Sequence, residues 1–386
     1  MINSITLGNF KCFETLTTIP MSRFTFLYGK NGRGKSSVIQ SLLLLSQSLR
    51  ENGGVLNSLI LNGKMVSLGT FDDIRNRYSD PDTPIQITVA TDSEAPLDLS
   101  FTRSVDKPTI ADLDDIWVGD IHYISAMEAQ SQMAPEAIVS KEEGAAGGVI
   151  VMSQSDINTY SILKTLAFVA ADRRGPVNFE SRRDNLGPAD VDVRGDYLIN
   201  SLSVKSPEFL ERFSQELSLI LSGASIRVFP NPVTPDRLEL FLDSVNNNEQ
   251  GFRPRNVGFG YSYILPIIYQ TLTAPKGGMV VVENPEAHLY PGAQSRLVDF
   301  LVKYANLNDL QILLETHSDH IINGLRISVK NGYVKPEETS VLFFDREDEN
   351  SGTPIVETIN IDSRGALSSQ PRDFMDEWTR QMLELM

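Results

Sequence analysis

Between Gly29 and Ser36 the chain reads "GKNGRGKS", and no other stretch limits so tightly what it can fold into. Gly29 is followed, after four residues, by Gly34-Lys35-Ser36, the full spacing of a loop whose glycines let backbone N–H groups close around phosphate at a helix start. Such a loop works only between a buried strand and a helix. The preceding "RFTFLYG" has the β-rich composition of that strand, and "SSVIQSLLLLSQSLR" carries apolar residues at helical spacing behind Ser36 and Ser37. Gly29, Asn31, Gly32, Arg33, Gly34, Lys35, Ser36 and Ser37 are therefore the expected nucleotide-binding residues. Lys35 suits the β- and γ-phosphates of ATP, and the Ser36 hydroxyl suits Mg²⁺, a hard cation that takes oxygen ligands.

At 386 residues the chain exceeds one typical compact domain. Its net charge of −16 repels DNA and anionic membranes on average, so nucleic-acid contact is expected only locally and membrane contact not at all. A single cysteine, Cys12, excludes an internal disulfide, and the N-terminal residues lack the pattern of a secretion signal; the expectation is a cytoplasmic protein.

Along the chain, residues 59–103 hold short β-like pieces separated by turn residues, which suggests an antiparallel sheet. Residues 128–154 read as a mobile loop, 155–172 and 207–222 as helices, and "IRVFP" with "RLELFLD" as a hairpin. After Arg253, helices and strands alternate: "SYILPIIYQTL", "MVVVEN", "AQSRLVDFLVKYA", "QILLETHS", "DHIINGLRISVKNG", "SVLFFDR". Alternation of this kind specifies a mostly parallel sheet flanked by helices. The expected organisation is an N-terminal lobe over 1–127, a helical and β insert over 128–250, and a C-terminal lobe over 251–386. Glu283, ending the apolar run "MVVVE", stands where open α/β sheets place ligands and suits Mg²⁺ through water.

With these stretches in order, "NFKCF", "GKNGRGKSS", "NVGFGYSYILPII", "VVVENPEAHLYPGAQ" and "LLETHSDHIINGLR", the chain resembles ABC-type ATPases of the RecF, SMC and OLD (overcoming lysogenization defect) kind. The likeness covers residues 1–76 and 253–330. It implies an ABC-ATPase head: an α/β fold with a mostly parallel sheet around the phosphate loop, an antiparallel β subdomain and a helical insert. It also implies that Gly258, Gly260 and Ser262 form a signature that reaches the γ-phosphate of the opposite subunit in a dimer or higher even-numbered oligomer. His317 takes the place of the switch histidine that orients the attacking water. Where the family has a second acid to activate that water, this chain has Asn284, with Glu286 the nearest alternative base.

Relatives with long coiled coils or an appended Toprim nuclease carry residues that this chain lacks between and after these motifs. The resemblance therefore implies an ATPase that dimerises on ATP and senses for or restrains a separate effector, an HNH or Toprim nuclease or another toxin, in a bacterial anti-phage defence complex. A RecF-like DNA-repair ATPase and a non-hydrolysing ATP-binding scaffold are the alternatives. Arg173, Arg174, Arg182, Arg183, Arg253 and Arg255 concentrate positive charge in two short stretches, suited to phosphates or to ion pairs with the abundant carboxylates.

Overall fold

A computed structural model describes residues 1–54, 56–92, 95–119, 121–123, 154–183, 192–243, 251–346 and 353–386. Most of the segment expected to be a mobile loop, 128–154, lies outside the described residues. Two compact units share the chain: one comprises Met1–Leu166, Ser340–Ile359 and Pro371–Met386, the other Ala167–Thr339 and Asn360–Gln370.

The first unit is built on an antiparallel sheet. Its strands are β1 (Ile2–Gly8), β2 (Thr17–Pro20), β4 (Ser58–Ile60), β5 (Ile85–Thr91), β6 (Leu97–Arg103), β7 (Ile110–Val118) and β8 (Ile121–Tyr123), ordered β2-β1-β5-β6-β7-β4 with β8 on β7; β3 (Phe24–Gly29) belongs to another sheet. Alternation explains the layout: in β5 and β6 every second residue is buried, so one face of the sheet packs inward. Helix α1 (Lys35–Glu51) follows β3 and is embedded along most of its length, with Leu42 to Leu45 fully enclosed. Some of its polar residues are enclosed too: Ser41 donates to the carbonyl of Val38, and Gln47 bonds backbone of the following loop. Gln47 donates to the carbonyl of Ile60 and accepts the N–H groups of Met65 and Val66, at 2.8 to 2.9 Å. A short helix α2 (Phe71–Ile74) and helix α3 (Gln154–Thr165) complete this stretch.

The second unit begins with β9 (Ala167–Val169), within the stretch expected to be one helix over 155–172. The helix ends at Thr165 because the following "LAFVA" is buried on all sides and pairs in parallel with a later strand; periodicity alone does not separate a short apolar run of this kind from helix. Strand β10 (Phe179–Ser181) and the hairpin of β11 (Ser225–Pro230) and β12 (Arg237–Asp243) form a three-stranded antiparallel sheet, with α4 (Leu198–Ser203) and α5 (Pro207–Ile220) between β10 and β11 in the chain. Helix α6 (Phe259–Thr273), β13 (Met279–Glu283), α7 (Pro291–Asn308), β14 (Gln311–Glu315) and α8 (Asp319–Lys330) then alternate as the sequence implies. Strand β13 lies between β9 and β14, parallel to both, and its apolar run is wholly buried, as a strand covered on both faces requires. Helices α7 and α8 approach closely at Gly324, where a Cβ would stand 3.0 Å from Val298.

The chain then returns to the first unit with β15 (Thr339–Asp345), which neighbours β3, and β16 (Ile355–Ile359), antiparallel to β15; α9 (Glu377–Glu384) lies near the end. Among the described residues no helix is long and apolar enough to cross a membrane.

Candidate nucleotide site

In the first unit the loop after β3 is held open by its glycines and closed at its base by Lys35. Gly29, Gly32 and Gly34 all have positive φ, at 133°, 70° and 105°. At Gly29 the requirement is absolute, since a Cβ would stand 2.3 Å from the carbonyl oxygen of Phe344 on β15. Helix α1 starts with Gly34 as its N-cap and no capping side chain, so the positive end of its dipole faces the loop. The Lys35 ammonium, 3% exposed, donates at 2.8 Å to the carbonyls of Gly29 and Lys30 and draws the two ends of the loop together.

The rim is charged. Lys30 pairs with Asp373 at 2.8 Å and Asp345 at 3.5 Å, and Arg33 lies 3.9 Å from Asp345. Asn31 and Ser36 are exposed, and Ser37 accepts a long contact from the Cys12 thiol. An uncapped helix start, left-handed glycines and a buried ammonium fit a phosphate group, and the Ser36 hydroxyl beside it fits a cation that takes oxygen ligands.

In the second unit the acid loop leaves β13 at Glu283. Burial, with the neighbouring carboxylates of Glu315 and Asp172, pushes the Glu283 carboxyl up to about 7, against the pull of the Ala171 N–H and the Arg173 guanidinium. The Ala171 N–H donates to Glu283 Oε2 at 3.1 Å. Asn284 has φ 43°, in the left-handed region, which asparagine tolerates better than most side chains, and its N–H donates to the carbonyl of Glu315 at 2.8 Å. Arg173, 3% exposed, donates to the carbonyls of Glu283 at 2.8 Å and Asn284 at 2.6 Å. Burial lowers its pKa to about 10, which leaves it charged at neutral pH.

Glu286, expected as a base, is engaged: its carboxylate accepts the Thr316 hydroxyl and the His317 N–H, both at 2.8 Å. Those bonds fix the turn after β14 that presents the exposed His317. Ser318 caps α8 by accepting the N–H groups of His320 and Ile321. The acid loop and the switch turn are thus one hydrogen-bonded assembly.

At the signature, α6 opens at Phe259 rather than at Ser262, with Gly258 as N-cap and Gly260 in the first turn. Gly260 lies against the acid loop, where a Cβ would stand 2.6 Å from the carbonyl oxygen of His288. Ser262 differs from expectation: it is 8% exposed, its hydroxyl is buried, and it lines a cavity with Glu180, Leu198 and Pro266 instead of opening the helix. The reason is helical geometry, which turns the residue three after Phe259 toward the core.

The arginine-rich stretches divide. Arg174 pairs with Asp196, and Arg253 with Glu239, as the ion-pair reading expects. Arg173 takes backbone carbonyls instead; the sequence marks its charge but not this role, because Glu283 and Asn284 lie more than a hundred residues away. Thr316 and Glu315 carry no mark in the sequence.

This fold and loop define an ABC-type P-loop ATPase head. The chain aligns over 93% of its length with 98% of an Smc head bound to the C-terminal winged-helix domain of ScpA (13% identity, TM-score 0.55). It also aligns over 100% of its length with 98% of an Smc head with an extended coiled coil, bound to the C-terminal domain of ScpA derived from Pyrococcus furiosus (13% identity, TM-score 0.52). At such identity the likeness is one of fold. The chain belongs to the family described as "AAA domain, putative AbiEii toxin, Type IV TA system", which matches residues 24–323. A second family, "Protein of unknown function (DUF3696)", matches residues 334–385. No curated protein matches the chain.

Proposed function

We propose that the chain binds and hydrolyses ATP with Mg²⁺, dimerises on ATP, and senses for or restrains a separate effector protein in a bacterial anti-phage complex. The observation that carries the ATP part is the uncapped start of α1 behind left-handed glycines, with Lys35 at its base. In this reading the loop N–H groups and Lys35 bind the phosphates, Ser36 and Glu283 hold Mg²⁺, His317 hydrogen-bonds the water, and Gly258 and Gly260 serve the partner subunit's nucleotide. Bound Mg²⁺ supplies charge neutralisation on the phosphates.

The residues of the chain supply orientation. Glu286 holds His317 in place, and Asn284 donates or accepts a hydrogen bond without taking a proton. One finding supports a protein partner: the similar Smc heads were solved with a partner protein bound.

ATP titration by calorimetry tests the reading. Wild type should bind and a folded Lys35→Ala variant should not; equal affinity would remove the phosphate-loop assignment. Mass measurement with and without Mg²⁺–ATP should show more dimer with nucleotide, and a strict monomer would remove the composite site. A non-hydrolysing scaffold is the second reading, favoured by the two bonds that already occupy Glu286. Phosphate release by wild type no faster than by Lys35→Ala would select it.

A further inference from the structure

Arg173 is a buried cation that, among the described residues, touches no carboxylate oxygen at hydrogen-bond distance. Its Nη1–H donates to the carbonyls of Ala170 at 3.2 Å and Glu283 at 2.8 Å, and its Nη2–H to that of Asn284 at 2.6 Å. Burying a guanidinium to bind main-chain carbonyls is costly, whereas Arg174 and Arg253 remain part-exposed beside acids. What the cost secures is geometry. A planar fork that grips two successive carbonyls holds the Glu283–Asn284 peptide and the next one, and so fixes the left-handed turn at Asn284 between them. The Asn284 N–H, bonded to the carbonyl of Glu315, holds the Glu283–Asn284 peptide from its other side.

The face of the guanidinium has a second neighbour. It lies over the ring of Tyr263, 5.4 Å from the centroid, in the second turn of α6. Tyr263 in turn meets the His288 ring edge-on at 4.4 Å, and Phe259, one turn earlier on α6, stacks at a tilt on His288 at 5.4 Å. His288 belongs to the acid loop and has φ 61°. Together with the close passage of Gly260 over the His288 carbonyl, these contacts make the start of α6 and the acid loop one packed body, against which Arg173 is held.

We propose that Arg173 is the positioning residue of the acid loop: it holds the Glu283–Asn284 peptide through its fork and ties that peptide to the signature helix through Tyr263. This rests on the ATPase reading only for its effect on turnover; the effect on the loop itself does not depend on it. Removing the fork should leave phosphate binding intact, since no phosphate-loop residue is among its partners. Loss of a positioning group beside a reacting centre typically costs roughly 10- to 100-fold in rate.

The test compares wild type, Arg173→Lys, Arg173→Ala, Tyr263→Phe and Tyr263→Leu by peptide-level hydrogen–deuterium exchange, ATP calorimetry and phosphate release. Exchange over 283–288 should rise in Arg173→Ala and, less, in Tyr263→Leu, with peptides of the phosphate loop unchanged. Tyr263→Phe, which keeps the ring, should match wild type. ATP affinity should stay within about twofold while kcat falls roughly 10- to 100-fold, and guanidinium ion added to Arg173→Ala should recover part of it but none of the loss in Lys35→Ala. If Arg173→Ala does not fold, Arg173→Lys carries the comparison, because an ammonium cannot span both carbonyls.

Unchanged exchange over 283–288 in the folded variants overturns the proposal, as does wild-type kcat in Arg173→Ala where Lys35→Ala is inactive. Raised exchange in a protein whose wild type shows no turnover would uphold the clamp and refute the hydrolysis reading.

Discussion

Replacing Glu283 by glutamine should make the protein more stable at pH 8 than at pH 5.5, relative to wild type. In the folded chain the Glu283 carboxyl titrates at about 7, against an ordinary value of 4.5, with burial as the main cause. Between those two values the folded state keeps a proton that the unfolded chain has released, so the folded state binds more protons and stability falls as pH rises. Below about 4.5 both states are protonated and the loss is absent; above about 7 both are ionised and it is complete. The displacement corresponds to about 3 kcal/mol, and partial exposure of the residue discounts it to about 2 kcal/mol.

Glutamine has no charge to desolvate, and its amide oxygen still accepts the Ala171 N–H, so the variant should lack this slope. For a unit of this size, about 2 kcal/mol moves the melting midpoint by roughly 4–8 °C. Thermal melts of both proteins from pH 5 to pH 8.5 in chelator measure the difference, and comparison at each pH cancels every other titrating group. Added Mg²⁺ with ATP should narrow the gap at pH 8 by stabilising the ionised wild type. A gap between the two proteins that does not change with pH refutes the reasoning.

Gly29→Ala should destabilise by several kcal/mol, because the new Cβ meets the Phe344 carbonyl oxygen and φ 133° is closed to alanine; denaturant melts measure it. Glu286→Gln retains one acceptor oxygen for two donors, so the switch turn should loosen and turnover should fall roughly 10-fold or more with ATP affinity unchanged, read by phosphate release and calorimetry. Asn284→Glu should raise turnover by restoring an acid, at a cost of about 1 kcal/mol for a longer side chain in the left-handed region; a rate below wild type would show that the amide itself orients the water. Ser318→Ala should lower stability by about 1 kcal/mol through the lost cap of α8, with melting as the readout.

The local half of this protein was legible residue by residue. Glycine at 29, 32 and 34 announces left-handed backbone, Ser318 announces a helix start, and the apolar runs of β13 and β14 announce buried parallel strands, because each signal lies within a few residues of its effect. The helix expected through 172 failed where local pattern is ambiguous, and Ser262 failed because the true helix start lay three residues earlier.

By itself, then, the sequence determined the phosphate loop and the order of strands and helices, which follow from spacing, turn chemistry and periodicity, and its motifs carried the resemblance to ABC-type heads. Only the tertiary structure decided which polar groups meet. It brought Arg173 to the carbonyls of Glu283 and Asn284, engaged both oxygens of Glu286 with Thr316 and His317, and buried Glu283 deeply enough to hold its proton near neutrality. Those outcomes depend on distance and desolvation between residues far apart in the chain, and a side chain's chemical identity carries neither until the backbone has been folded around it.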